Sequence, residues 1–543
     1  MTAALVAAGL GVIPGTASAA EGPTGPTKPV ASPGAAKAGA SARETFSSPA
    51  GRTVRTGLPT GGNKVAGDHQ GVSVGIDARS HTAHGLEVTS KITGPDSVLD
   101  VVVDWGDGTT EKTTIKGSGE LFHRHTYAEV GEYKVKVTAT DVANAIAGSN
   151  DIMIMTIGSE FTPHAPTRLL DTRNGTGTTA GKVAARGTTR VKVAGNAEIP
   201  GEVRAVALNV TVTNTSIAGH ITAWPGKGTE RPDTSNINYV GGQSVPNLVI
   251  VPVGTDGYVE LYNAGWGAVD LIADVTGYFT RTPSSGYTSL DPVRFVDTRE
   301  GLGAPKWQLA GQGVFTTQIG GLRGVPKGIT AVALNVTVTN PQQLGHLSVF
   351  PAGGPVPTAS NLNFAAGRTI ANSVIVPVSA NGEISVFNGA WGPTDVVVDV
   401  VGYYSKDSKA AFVPFTPRRM LDTRDPGGWW PGGRLPARGH ISQWVTGEAQ
   451  GDEAYVLNTT VTETADSGFL SVAPSPFPWL VNDDPNAPEP PRPGASTLNW
   501  TAGRTVPNLV QASAGEHGII NFWNQGWKDA DLVVDIFGVY END

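Results

Sequence analysis

Two carboxylates four residues apart close each of three similar stretches of the chain: Asp270 and Asp274, Asp395 and Asp399, Asp531 and Asp535. Carboxylates about 5–5.5 Å apart are the machinery of retaining glycoside hydrolysis. Each of these pairs lies in an apolar run that reads as a strand, where residues four apart share one face at a separation of about 13 Å. That spacing argues against a catalytic pair. The second aspartate of each pair lies among Val, Ile and Leu, where an unpaired charge is costly, so it needs a cation. The arginine ending each R-x-x-D-T-R string recurs as regularly, at Arg173, Arg299 and Arg424. The expectation is that these structural ion pairs join Arg173 to Asp274, Arg299 to Asp399 and Arg424 to Asp535, tying the first segment of each copy to its last.

The same stretches carry a tryptophan in a turn-rich connection, as NAGWGAVD, NGAWGPTD and NQGWKDAD. Trp266, Trp391 and Trp527 each follow an asparagine by three positions (Asn263, Asn388, Asn524) and precede an aspartate by four. A loop indole can offer its flat apolar face to a sugar ring, with the asparagine supplying polar orientation, which makes these six residues the candidate ligand-binding set. The competing reading is that each indole plugs the end of its own module. The plug is favoured, because a large aromatic is usually mostly buried. Trp429 and Trp430, in DPGGWWPGGR, are a second pair of aromatic candidates.

Other chemistries find little support. There is no HExxH or GxSxG string, and GTGTTAGKV (Gly175 to Val183) has the wrong glycine spacing for a phosphate loop. His123 and His125 share a strand face without a third ligand, so a structural role is expected rather than a metal site. Asp104 and Asp107 are too few oxygens for Ca²⁺ and read as turn stabilisers. Asn209, Asn335 and Asn458, with Asn238, Asn363 and Asn499, are expected to cap turns or bond neighbouring backbone. No cofactor, no metal and no enzymatic activity are expected.

The elements that must position these residues are strands. In 543 residues, 16% charged, Gly 70 and Pro 39 point to turn-rich β structure in several domains. The net charge of -9 comes without any basic stripe, so nucleic acid is not an expected partner. Cys 0 removes disulfides and thiolate chemistry. MTAALVAAGLGVIPGTASA reads as a signal peptide at 1–19, although it lacks a basic n-region. Residues 20–71, rich in Gly, Pro, Ala, Ser and Thr, read as a disordered linker that includes the LPTGG string. No apolar run reaches membrane-spanning length.

From about residue 161 the chain is an internal triplicate. RLLDTR, RFVDTR and RMLDTR open the copies; AVALNVTVTN, AVALNVTVTN and AYVLNTTVTE follow; DLIADVTGYF, DVVVDVVGYY and DLVVDIFGVY close them. Repeats at 161–280, 287–405 and 412–543 result, each with about seven short alternating runs that predict a β-sandwich. Copies of about 120 residues are expected to fold as self-contained units rather than as blades of one assembly. They resemble tandem β-rich modules of secreted bacterial proteins, a resemblance that carries no established activity.

Between 72 and 157, VLDVVVDWGDGT and HTYAEVGEYKVKVTATD each read as strand, turn and strand. Trp105-Gly106-Asp107-Gly108, then His125, Tyr127, Gly131, Tyr133, Val135 and Val137, resemble the signature of the PKD (polycystic kidney disease) domain family. The resemblance covers about 85 residues and implies an immunoglobulin-like β-sandwich that acts as an extracellular spacer or contact module. The chain is therefore expected to be all-β and secreted, extracellular or loosely wall-associated. Its expected role is binding or adhesion to polysaccharide, or alternatively spacing or protein contact in an extracellular assembly.

Overall fold

The computed structural model describes residues 44–58, 71–425, 433–445, 451–477 and 490–543. The signal peptide, most of the linker, LPTGG beyond Leu58, and Trp429 and Trp430 lie outside the described residues. Within them the protein is all-β: antiparallel sheets and one 3-10 turn, Ala50–Arg52, with no helix long and apolar enough to cross a membrane.

The N-terminal module is a sandwich of a four-stranded and a five-stranded sheet. Alternate residues of Val98–Asp104 and Glu132–Asp141 point inward, so Val101, Val103, Val135 and Val137 are fully buried. The WGDG turn is built as its residues dictate: Gly106 and Gly108 take φ of 83° and 91°, and Asp107 accepts the Thr109 amide at 2.9 Å. His123 bonds Glu111 at 2.9 Å, and His125 bonds Asp107 at 2.7 Å while stacking on Trp105. The reading of 20–71 as wholly unstructured needs correction. Thr45–Ser48 pairs with Ser73–Ser80, and Val54–Gly57 pairs with Ile146–Met155. Edge pairing needs only backbone groups, so a segment without apolar periodicity can still join a sheet.

Among the described residues each repeat has eight strands in two four-stranded sheets. In the first repeat one sheet runs Glu160–Asp171, Asp270–Thr280, Ala205–Thr213, Val245–Pro252; the other runs Thr188–Lys192, Tyr258–Asn263, Gly219–Trp224, Ile237–Tyr239. By position in the repeat the orders are 1-8-3-6 and 2-7-4-5, and the other two repeats reproduce them. This is the strand order of a jelly roll.

The three copies are not self-contained. Asn209 of the first donates to the Ser360 carbonyl of the second (2.6 Å), Asn335 of the second to Ser496 of the third, and Asn458 of the third to Ser235 of the first (2.6 Å). One set of equivalent contacts thus closes on itself, which defines a pseudo-threefold ring. Its axis is filled by a shared core to which every copy contributes equivalent residues, including Phe161, Tyr287 and Phe412 from the first strands and Phe279, Tyr404 and Tyr540 from the last. The reason lies in the third strand, whose AVALNVTV is buried at every position. A strand buried on both faces must be covered on both, and the second cover here is the other copies, which also satisfy its Asn209.

The N-terminal module packs on the third copy. The Ala83 amide donates to Glu541 at 2.7 Å, the His84 amide to the Asp543 carbonyl at 3.0 Å, and Ala83, Val130 and Ile157 join the core of that copy.

Candidate functional site

The ion pairs that fasten each repeat are present with a different arginine. Arg168, the first residue of RLLDTR, stands in register with Asp274 and binds it through Nε at 2.9 Å and Nη2 at 3.2 Å. Arg294 binds Asp399 and Arg419 binds Asp535 in the same way, both at 2.8 Å through Nε. Arg173, Arg299 and Arg424 instead bind the aspartate two residues before them, Asp171, Asp297 and Asp422, at 2.7, 2.6 and 2.7 Å. The correction has a simple cause. The first strand ends at Asp171, so Arg173 lies beyond the paired segment, whereas Arg168 lies directly across from Asp274. Burial pushes the Asp274 and Asp535 carboxyls up against the opposing pull of their arginines. The hydrogen bond from Arg173 holds Asp171 down. The outer aspartates are also satisfied: Asp270 accepts from Thr172 at 2.9 Å and Asn214 at 2.8 Å.

The tryptophan loops connect the seventh strand of each repeat to the eighth. Each is held by its asparagine. Asn263 donates to the Ala184 and Gly267 carbonyls at 3.0 and 2.8 Å and accepts from the Gly265 amide at 3.0 Å. Asn388 and Asn524 repeat the pattern, closing on Gly392 at 3.0 Å and Lys528 at 2.9 Å. All three asparagines are 0% exposed. Their assignment as ligand contacts is therefore corrected: they are loop clamps whose polar atoms are already used. In the first copy Asn263 also accepts from Tyr239 Oη, and a Cβ at Gly265 would sit 2.4 Å from that hydroxyl. The second copy, with Phe364 in place of the tyrosine, has Ala390 at the glycine position.

What the clamps hold out is the indole. Trp266, Trp391 and Trp527 are 77%, 82% and 75% exposed, so the plug reading is overturned for all three. A rigid loop with internal hydrogen bonds keeps a large apolar ring in solvent that a flexible loop would fold away. The pseudo-threefold relation sets equivalent residues at one level around the ring axis, so the three indoles share one end of the assembly. Trp527 precedes the strand Asp531–Glu541 and Glu541 ends it, which separates the two by roughly 30 Å at strand rise. The indole end is thus the one remote from the N-terminal module.

Each indole has a neighbour that the sequence reading missed. Arg186, Gln312 and Arg438 hold φ of 58°, 57° and 55°, an uncommon conformation for such residues. Each donates back to the tryptophan loop: Arg186 to the Ala264 carbonyl at 3.0 Å, Gln312 to Gly389 at 3.0 Å, and Arg438 to Gln525 at 3.0 Å. The Arg186 and Arg438 guanidiniums lie 5.4 and 5.0 Å from the indole centroids. The only sequence signal was the glycine that follows each of them, at Gly187, Gly313 and Gly439.

No family model matches the chain, and no curated relative matches it. Among solved structures it is similar to a SusE-like protein at 13% identity, covering 38% of this chain and 97% of that one with a TM-score of 0.12. It is also similar to a structure from Sulfolobus Turreted Icosahedral Virus at 11% identity, over 70% of this chain and 90% of the other, TM-score 0.14. A triple jelly roll and turret assembly structure from an archaeal virus gives 11% identity, 71% and 90% coverage, and a TM-score of 0.14.

Proposed function

We propose that this is a secreted, non-catalytic binding protein that engages cell-wall or extracellular polysaccharide through the loop tryptophans Trp266, Trp391 and Trp527. The supporting observation is a single one: the indole is exposed in all three copies while the asparagine that fixes its loop is fully buried. Exposed, pre-positioned aromatics stack on sugar rings with little ordering cost, and three weak sites at one end of a rigid ring add through avidity. In this reading the PKD-like module at 72–157 is a spacer, and the modules at 161–280, 287–405 and 412–543 form the binding head.

The test is retention of the full chain on insoluble polysaccharides and in polysaccharide-containing gels, compared with a W266A/W391A/W527A variant. Retention lost in the variant supports the assignment; retention unchanged removes it. The alternative, a structural component of an extracellular assembly, is favoured by the closed ring and its buried ion pairs, and it expects no retention by either protein.

A further inference from the structure

The three indole sites are not chemically alike, and the difference is concerted. In the first copy the Arg231 guanidinium lies 4.0 Å from the centroid of Tyr262, and Arg186 lies 5.5 Å from that ring as well as over Trp266. In the third copy Arg492 lies 4.8 Å from Trp523, the residue equivalent to Tyr262, and Arg438 lies over Trp527. Two arginines thus border an aromatic pair in each outer copy. In the second copy both change together: Gln312 stands at the Arg186 position and Val356 at the Arg231 position, beside Phe387 and Trp391. The fold does not demand the cations, since the second copy keeps the same strand order and the same asparagine clamp without them.

The first-copy pair is not consumed by internal ion pairing, whereas Arg492 of the third copy donates to Gln525 and to the Arg438 carbonyl. Among the described residues Arg186, Arg231 and Arg438 make no ion pair, in contrast to Arg190 nearby, which is bound by Asp256 and Glu260. An arginine lying on an aromatic face keeps its edge donors free for a carboxylate, sulfate or phosphate, while the neighbouring indole presents an apolar surface. The third copy is the more acidic of the two: Asp466 accepts from the Trp527 amide at 2.9 Å and Asp529 from the Ala437 amide at 2.7 Å.

We propose that the first copy carries a subsite for an acidic polysaccharide, with a sugar ring on Trp266 and its anionic group on Arg186 with Arg231, while the second copy takes uncharged sugar. This inference rests on the glycan reading above and specifies its ligand class.

The experiment is affinity electrophoresis of the full chain in gels holding polygalacturonate, alginate, fully methyl-esterified polygalacturonate, a neutral β-glucan or polyglutamate. The expected result is retardation by the acids about tenfold stronger than by the methyl ester, the size of one good charge-assisted contact. R186Q/R231V is expected to collapse that ratio and Q312R/V356R to raise it, a gain that misfolding cannot mimic. Equal retardation by acid and ester overturns this inference and leaves the glycan reading standing. Retardation by polyglutamate as strong as by the acidic polysaccharides overturns it too, since the arginines would then be reading charge alone. Retardation by no polysaccharide, acidic or neutral, overturns both.

Discussion

Arg168 stands directly opposite Asp274 on adjacent strands, with Nε 2.9 Å from Oδ1, and the same cross-strand pair recurs at Arg294 with Asp399 and Arg419 with Asp535. The aspartate is almost fully buried, so the pair joins the first and last strands of each jelly roll through one charge that cannot be left alone. Arg168 and Arg419 also reach the next copy, donating to the Thr358 and Asp233 carbonyls at 3.4 and 3.2 Å. The clasp therefore serves both the module and the ring.

Removing the cation is expected to be far worse than removing its neighbour. R168A leaves Asp274 buried without a partner and should cost about 3–5 kcal/mol. R173A removes an arginine whose side chain is 45% exposed, and the buried Asp171 keeps Arg168 Nη1 at 3.2 Å, so the cost should be about 1–2 kcal/mol. Denaturant titration of the two variants decides the order; an equal or reversed order would show that Arg168 is not the clasp.

The shared axis is expected to make the three copies unfold together. Phe279 is fully buried against Phe161, Phe412 and Tyr540, and F279A should cost about 3–5 kcal/mol. Because its neighbours come from two copies, the loss should shift one common calorimetric transition of the repeats. A shift confined to a first-copy transition would contradict the ring.

Asparagine and tryptophan of one loop should separate stability from binding. W266A changes an exposed side chain and should alter stability by no more than about 0.5 kcal/mol. N263A leaves buried carbonyl and amide groups unsatisfied and should cost about 1–3 kcal/mol. Thermal melts of both, set beside polysaccharide retention, check the division of labour.

Acid should weaken the N-terminal module through Asp107. Burial raises this carboxyl, but hydrogen bonds from Thr109 and His125 outweigh it and hold it at about 2. A depressed folded pKa contributes stability that is present above the unfolded value near 4 and lost as pH falls toward about 2. Asp171, Asp297 and Asp422 act in the same direction. Asp274 and Asp535 are raised, so their ionisation burdens the folded state and protonation relieves it as pH falls. Melting temperatures of wild type and D107N from pH 2 to 6 should show a shallower acid loss in the variant.

The strings DLIADVTGYF, AVALNVTVTN and RLLDTR determine by themselves that the chain is all-β and triplicated, because period-2 burial and repetition are local properties that need no partner. They also determine that Asp274 requires a cation. Which arginine supplies it was decided by strand register, since only the fold says that Arg168 and not Arg173 lies across from it. The ring was not legible: in Ala205–Thr213 the face carrying Ala205, Ala207, Asn209 and Thr211 is half polar, and its burial depends on contacts between residues far apart in the chain. The indoles were legible as candidates by spacing alone. Their exposure was not, because it follows from the asparagine clamps and the left-handed residues beside them, whose bonds form only once the seventh and eighth strands and the loop before the second strand have come together.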